Sequence, residues 1–288
     1  MILVQLTNMC NLSCEYCFSD SCKYELNGEK LLQFLYKYYS KSDNKENMLI
    51  LSGGEPFIRK DLLMLCEKIV TIAENVKILT NGLVFNKEWL QFVNESNIKL
   101  DISLDSISSN YHDRYRGSFK KTKKTIDMLS DIAKNNHSIS MTLSYENLKE
   151  VDKMIKYTVE NNFLLDLNII SLDESKKLSW KNATKEQKEM AMRAIDKWSN
   201  LSKRFLKGKI MKRMIIDDSF KVNRCIIKER CLTIQSNGDV TPCFINRDLY
   251  YGNIYKNSCE EILKNKDIFS ANYNVKRCFS TDCIGIYY

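Results

Sequence analysis

Three cysteines fall within eight residues near the start of the chain: Cys10, Cys14 and Cys17, spaced C-x3-C-x2-C. Thiolates at this spacing can wrap three corners of a cubane iron–sulfur cluster, and no fourth cysteine completes the pattern tightly. A three-thiolate cluster leaves one iron open to an outside ligand, which makes a reactive site rather than a plain electron carrier. A ferredoxin-type cluster with Cys22 as fourth ligand is the competing reading, but a ferredoxin needs no long βα array. A structural zinc site would want four ligands, and His112 and His137 are the only imidazoles in the sequence. The 11 cysteines are an odd number, unevenly spread, which argues against a disulfide framework and for metal-bound thiolates.

The cysteine loop follows an apolar run, Ile2 to Leu6, the first of six β-like segments. The others are Met48 to Leu51, Val76 to Leu79, Ile98 to Leu104, Ser138 to Leu143 and Leu164 to Ile170. Amphipathic stretches separate them, for example Leu62, Leu65, Cys66, Ile69 and Ala73, or Leu148, Val151, Ile155 and Val159. Right-handed crossovers between such units imply a parallel sheet and an α/β class. In the later strands, apolar residues alternate with Lys99, Asp101, Ser103 and Asp105, with Ser140 and Thr142, and with Asp166 and Asn168. A sheet covered by helices on both faces would be almost wholly apolar. The one-sided polar stripe instead predicts a partial (β/α)6 barrel with a wet inner face.

Residues 183–216 read as one or two helices ending in Lys203, Arg204, Lys207, Lys209, Lys212 and Arg213. Beyond them cysteines return at 225, 231, 243, 259, 278 and 283. The expected division is therefore 1–215 for the barrel with its helical extension and 216–288 for a small cysteine-rich hairpin and helix domain. Within the latter, Ser236-Asn237-Gly238-Asp239 is a hairpin-turn signal. Ser258 with Glu261 is a capping box opening the helix that carries Cys259. Cys259 and Cys66 are expected in the core.

Composition bounds the function. With 44% hydrophobic and 28% charged residues, the chain can bury a core and is not a disordered segment. No apolar run approaches the ~20 residues of a membrane span, and no secretory signal is present, so the expected location is cytoplasmic. The net charge of +8 permits an acidic peptide or nucleic-acid partner without requiring one. Lys120, Lys121, Lys123 and Lys124 would suit phosphates, but they read better as solvated helix surface.

The cysteine triplet, with the aromatic Tyr16 before its last member, resembles the signature of radical S-adenosylmethionine (SAM) enzymes. Gly53-Gly54-Glu55-Pro56 after the second strand resembles that family's GGEP motif. Two glycines let the backbone approach a ligand, and proline fixes the exit of the loop. The resemblance implies a [4Fe–4S] cluster whose open iron binds the amino and carboxylate groups of SAM. Gly53, Gly54 and Glu55 would hold the amino group. Asn81 in Thr80-Asn81-Gly82, Ser103 and Asp105 at the end of strand four, and Arg116 in the D-R-Y-R-G stretch are the further SAM contacts it implies. All sit at strand ends, where barrel enzymes place active sites.

Cys225-x5-Cys231-x6-Gly238-x4-Cys243, followed by Gly252-Asn253-Ile254, resembles the start of a SPASM or twitch domain. Such domains hold auxiliary iron–sulfur clusters in radical SAM enzymes, many of which act on peptides. The cysteines that follow, Cys278 and Cys283, are fewer than a full SPASM domain carries, which implies one auxiliary [4Fe–4S] cluster rather than two. Five candidates for at most four thiolate positions leave one over. Cys225 is the candidate hydrogen-atom donor if it is not a cluster ligand.

By resemblance, reductive cleavage of SAM gives a 5′-deoxyadenosyl radical that takes a hydrogen atom from substrate. The leading expectation is maturation of a ribosomally made precursor peptide, by a thioether or carbon–carbon cross-link or by inversion of an α-carbon. Sulfatase maturation is disfavoured, because the cysteines of a second auxiliary cluster are missing. The chain opens directly on strand one, so leader binding is expected to fall to the barrel, the C-terminal domain or a separate leader-recognition protein. A flavodoxin- or ferredoxin-type protein would donate the electron. Radical modification of a small molecule or RNA is the enzymatic alternative, and a cluster-bearing electron-transfer or sensor protein the non-enzymatic one.

Overall fold

All six apolar segments form strands: β1 (Ile2–Gln5), β2 (Leu49–Ser52), β3 (Val76–Thr80), β4 (Lys99–Ser103), β5 (Ser138–Leu143) and β6 (Leu164–Ile169). They lie parallel in the order β6-β5-β4-β3-β2-β1 in a computed structural model that describes residues 1–17, 23–40, 47–132, 137–170, 177–217, 231–243 and 250–272. Cys22, Cys225, Cys278 and Cys283 lie outside the described residues. Between the strands run α1 (Gly28–Tyr39), α2 (Leu62–Ile69), α3 (Lys87–Glu95), α4 (Ser109–Tyr115), α5 (Phe119–Ser130) and α6 (Val151–Glu160). Several begin where the residue type dictates. Asn27 and Asn86 cap α1 and α3 by accepting from the N–H of Lys30 and of Trp89.

The pairing register sorts the two faces. Ile2, Val4, Leu49, Leu51, Val76, Ile78, Leu100, Ile102, Ile139 and Met141 share the face under the helices and form the core with them. On the other face Asp101 stands beside Ser138, then Ser103 beside Ser140 and Asp166, then Thr142 beside Asn168. Asp101, Ser138 and Asp166 are buried, whereas Ser103, Ser140, Thr142 and Asn168 are half-buried. The polar stripe is thus the inner face of an open sheet, as a partial barrel requires.

The free edge at β6 is covered by a helical hairpin. α7 (Lys185–Ser202) starts at a capping box between Thr184 and Gln187, and α8 (Phe205–Ile216) follows a turn with Lys203 at φ 57°. The helices cross closely at Gly208, where a Cβ would lie 2.7 Å from Ser199 Cβ. Buried Trp198 donates its indole N–H to the carbonyl of Leu165 at 2.9 Å, which satisfies a backbone acceptor on the exposed strand.

The C-terminal strands continue the same sheet. β7 (Leu232–Ile234) runs parallel to β1, and β8 (Asp239–Thr241) and β9 (Gly252–Asn253) follow antiparallel. The β7–β8 turn holds Gly238 at φ 87°, as the hairpin signal anticipated. Ser258 and Glu261 form the capping box that opens α9 (Cys259–Asn272), and Cys259 and Cys66 are buried in the core. Among the described residues, no helix is long and apolar enough to cross a membrane.

Candidate active site

After β1 the chain runs alongside the loop that follows β2. Gly54 donates its N–H to the carbonyl of Thr7 at 2.7 Å, and Glu55 to that of Met9 at 2.9 Å. A Cβ on Gly54 would lie 2.1 Å from the Met9 oxygen, and one on Gly53, at φ 154°, 2.4 Å from the Thr7 oxygen. The backbone that these glycines approach is therefore the root of the cysteine loop. Pro56 then opens a short 3-10 turn, Pro56–Ile58.

The buried Glu55 carboxylate ties this loop to the end of β3. It accepts from the N–H of Phe57 (3.0 Å), the hydroxyl of Thr80 (2.8 Å) and the N–H of Asn81 (2.7 Å). Burial pushes its carboxyl up, and these three donors oppose the shift. Asn81 reaches onward to the cysteine loop, donating from its amide to Asn11 Oδ1 at 2.8 Å.

Within that loop Cys10 and Cys17 are exposed and Cys14 half-buried, and none of the three is disulfide-bonded. Leu12 donates its N–H to Cys10 Sγ at 3.4 Å, and Cys17 donates its N–H to the Cys14 carbonyl at 3.1 Å. Burial pushes the Cys14 thiol up to about 11, with Arg116 acting against the rise.

Asp105 braces the far side. It is fully buried and accepts from the Tyr16 hydroxyl, from Arg116 Nε at 3.0 Å and from the Thr142 N–H at 2.9 Å. The Arg116 guanidinium also stands 5.4 Å from the centre of the Tyr16 ring. Burial alone would raise the Asp105 carboxyl, but Arg116, Tyr16 and the Thr142 N–H hold it below the usual carboxylate range. A pKa lowered by folding gives stability that is complete above the unfolded value, near 4, and lost as pH falls through the folded one. Removing one partner of such a buried pair leaves an uncompensated charge. Arg116→Met is therefore expected to cost about 3–5 kcal/mol in urea denaturation at pH 7, and markedly less in acid.

Several positioning residues escaped the sequence reading. Asn147 donates its amide to the carbonyls of Asp105 (3.2 Å) and Thr142 (3.0 Å). His112 Nδ1 accepts the Asp105 N–H at 3.3 Å. Arg59 donates to the carbonyls of Leu6 (2.9 Å) and Leu26 (2.7 Å), fixing the exit of β1. Only its spacing to Asp61, a bidentate partner, offered a sequence signal.

Tyr16, Gly53, Gly54, Glu55, Pro56, Asn81, Ser103, Asp105 and Arg116 thus gather with the three cysteines at the C-terminal ends of β1–β4. Cys231 and Cys243 do not. The register that pairs Thr233 with Thr241 sets them opposite each other at the open end of the β7–β8 hairpin. That end lies beside Met1, since Leu232 donates its N–H to the Met1 carbonyl. About 20 Å of strand separates this pair from the Cys10–Cys17 loop.

Three thiols on one loop, anchored by backbone contacts too close for any side chain, suit a cubane cluster. Among the described residues no three His, Cys, Asp or Glu side chains converge on one ion, as thiols meant for three different irons need not do. The family model of the radical SAM superfamily matches residues 4–158, more than half of the chain. The chain belongs to the radical SAM superfamily. A second model, the SPASM iron–sulfur cluster-binding domain, matches residues 225–283 of this radical SAM enzyme.

Sporulation killing factor maturation protein SkfB of Bacillus subtilis is 27% identical over 98% of this chain and 68% of its own length. The subtilosin biosynthesis protein AlbA of the same organism is 26% identical over 98% and 66%. This radical SAM enzyme therefore spans about two thirds of each. A cysteine-type anaerobic sulfatase-maturating enzyme of Clostridium novyi is 26% identical over 94% and 79%. An AdoMet-dependent heme synthase of Methanosarcina barkeri is 29% identical, but over 56% of this chain and 47% of its own. Among solved structures, anSMEcpe with bound AdoMet superposes with a TM-score of 0.69 at 18% identity, covering 93% and 82% of the two chains. Streptococcus suis SuiB bound to precursor peptide SuiA gives 0.66 at 15%, covering 99% and 70%. At such identities the likeness shows the shared fold.

Membership makes this chain an enzyme with a [4Fe–4S] cluster and SAM as cofactors and auxiliary iron–sulfur clusters in its SPASM domain. Bound together, the first two supply one-electron cleavage of SAM.

Proposed function

We propose that this enzyme matures a ribosomally made precursor peptide, introducing a thioether or carbon–carbon cross-link or inverting an α-carbon. The observation that carries this reading is how much of the chain each relative matches. The two peptide-maturation proteins align over 98% of it, including the β7–β9 strands and the α7–α8 hairpin, whereas the heme synthase aligns over 56%. The sulfatase-maturating relative also aligns almost throughout, so a polypeptide substrate is the common theme.

In this reading residues 1–215 form the SAM-cleaving barrel and 216–288 the auxiliary domain. Cys10, Cys14 and Cys17 hold the first cluster. The backbone of Gly53 and Gly54, with Asn81, Ser103 and Arg116, receives SAM, while Tyr16, Glu55, Pro56 and Asp105 keep those groups in place. Cys231 and Cys243, drawing on Cys225, Cys278 and Cys283, hold one auxiliary cluster. The half-buried hydroxyls and amide of Ser103, Ser140, Thr142 and Asn168 offer the inner face to a peptide backbone. A flavodoxin- or ferredoxin-type donor supplies electrons, and a separate protein can present the leader.

The test is anaerobic turnover with the precursor encoded by a small open reading frame beside the gene. Added peptide should raise 5′-deoxyadenosine release and appear as product, two hydrogens lighter for a cross-link or unchanged in mass for inversion. Product on a sulfatase-derived peptide but none on the neighbouring precursor would replace this reading with sulfatase maturation.

A further inference from the structure

Four lysines cluster in the first turns of α5, and the chemistry described so far makes no use of them. Thr122, Thr125, Ile126 and Leu129 of this helix are buried, while Lys120, Lys121 and Lys124 are exposed. Spacings of three and four residues put these three on one helical face. Lys123, half-buried beside them, pairs with Asp127 and stands 5.1 Å from the centre of the Tyr157 ring. Lys120, Lys121 and Lys124 make no ion pair among the described residues.

The helix itself gains nothing from this placement. Like charges three and four residues apart repel, and cations in a first turn oppose the helix dipole. No acidic residue stands in that turn, and the N-cap Ser118 makes no side-chain cap bond. Asp113 instead accepts the Phe119 N–H at 2.7 Å. A local conflict of this kind is expected where a surface serves a function.

The position of the lysines indicates which function. Thr122, between them in sequence, donates its hydroxyl to the Asn81 carbonyl at 2.8 Å. Asn81 in turn donates its amide to Asn11 Oδ1 at 2.8 Å, next to exposed Cys10. Just before α5, Gly117 lies against the same loop, since a Cβ there would stand 3.8 Å from Leu12 Cδ2. The lysine face is thus carried on a helix two hydrogen bonds from the cysteine loop. It belongs to the helical layer, where Ile126 joins the core, and not to the polar inner face. Reductive cleavage of SAM takes one electron from outside, and its carrier must approach this loop. Lysines beside the loop would steer a carrier with an acidic surface to it.

We propose that Lys120, Lys121 and Lys124 form the docking surface for a small acidic electron-carrier protein. One electron leaves the reduced carrier there and enters the cluster held by Cys10, Cys14 and Cys17. The carrier is oxidised by one electron and the cluster reduced by one, with no bond made or broken. That a protein carrier supplies the electron rests on the reading above; the place where it docks is a separate claim.

Two measurements on the holoenzyme separate them, with an acidic flavodoxin as the carrier. The variant combines Lys120→Glu, Lys121→Glu and Lys124→Glu, and it should fold, because acidic side chains suit a helix N-terminus. In the first measurement, association of flavodoxin is followed by stopped-flow fluorescence. The wild-type rate should fall as salt rises, and the triple reversal should lower it about tenfold at low salt. Reversing exposed Lys37, Lys209 and Lys264, on three other helices, should change it far less; an equal loss there overturns the proposal. In the second, 5′-deoxyadenosine release without peptide is driven by reduced flavodoxin or by reduced methyl viologen, a small cation that needs no basic surface. The triple reversal should lower the rate with limiting flavodoxin about tenfold and leave the viologen-driven rate unchanged. Equal flavodoxin-driven rates in variant and wild type overturn the docking surface, while the carrier reading stands. Equal losses with both reductants also overturn it, since the lysines would then support the site itself. If viologen drives the wild-type enzyme and flavodoxin neither binds nor drives it, the carrier reading fails and the docking surface with it. Lysine-dependent binding of single-stranded RNA, with no binding of flavodoxin, would likewise overturn the proposal.

Discussion

Replacing Cys10, Cys14 and Cys17 together with alanine is expected to abolish release of 5′-deoxyadenosine from SAM. The fold should survive, because Cys10 and Cys17 are exposed and Cys14 half-buried, so the change opens no large core cavity. Iron should fall by the share of one cluster and remain at the SPASM domain, whose Cys231 and Cys243 lie at the opposite end of the sheet. Anaerobic iron analysis, far-UV circular dichroism and chromatographic detection of 5′-deoxyadenosine check all three parts. Cleavage at the wild-type rate by the triple variant would remove the loop from the reaction.

The second large effect is expected from one methyl group. At Gly54 a Cβ would sit 2.1 Å from the Met9 carbonyl oxygen, a backbone atom that cannot swing aside as a side chain would. Gly54→Ala must break the Glu55 N–H to Met9 hydrogen bond or push the cysteine loop outward. Either outcome displaces the thiols from the β2 loop. A misplacement of about 1 Å can cost on the order of a hundredfold in rate, so SAM cleavage should fall by at least that factor, with iron lost from the first cluster. Gly28→Ala is the control: its Cβ would meet side-chain atoms alone, the nearest being Asp61 Oδ2 at 3.3 Å, with Leu65 Cδ1 at 3.6 Å and Arg59 Nη2 at 3.8 Å. A G54A protein with full iron and normal cleavage would show that the close approach does not position the loop.

Much of this arrangement was legible in the residues because it is local. The first strands announce themselves as apolar runs and the later ones by alternation, and the three cysteines and the Gly53-Gly54-Glu55-Pro56 run sit where strands end. The polar stripe of Asp101, Ser103, Ser140, Thr142, Asp166 and Asn168 correctly indicated an inner face. What stayed hidden depends on residues far apart in sequence. Nothing near Tyr16 says that its hydroxyl finds Asp105, or that Asp105 also gathers Arg116, Thr142 and, through its backbone, Asn147 and His112. Lys207 read as one of six basic residues ending a helix pair, and only the helix crossing at Gly208 shows why it is buried. The short runs at 232–234 and 239–241 gave no hint of which strand they would join.

That last pairing bears on how the molecule is made. β1 can find β2 soon after both leave the ribosome, but its other edge waits for β7, where Ile2 meets Leu232 and Ser236 bonds Gln5 from 231 residues away. Through most of synthesis the strand that leads into the cysteine loop is therefore half-paired, and a bare apolar edge is a template for pairing with another chain. Long-range closure of this kind is slow. The nascent protein is expected to be most prone to aggregation before residues 232–236 emerge, and truncations that stop short of them should be recovered chiefly in the insoluble fraction.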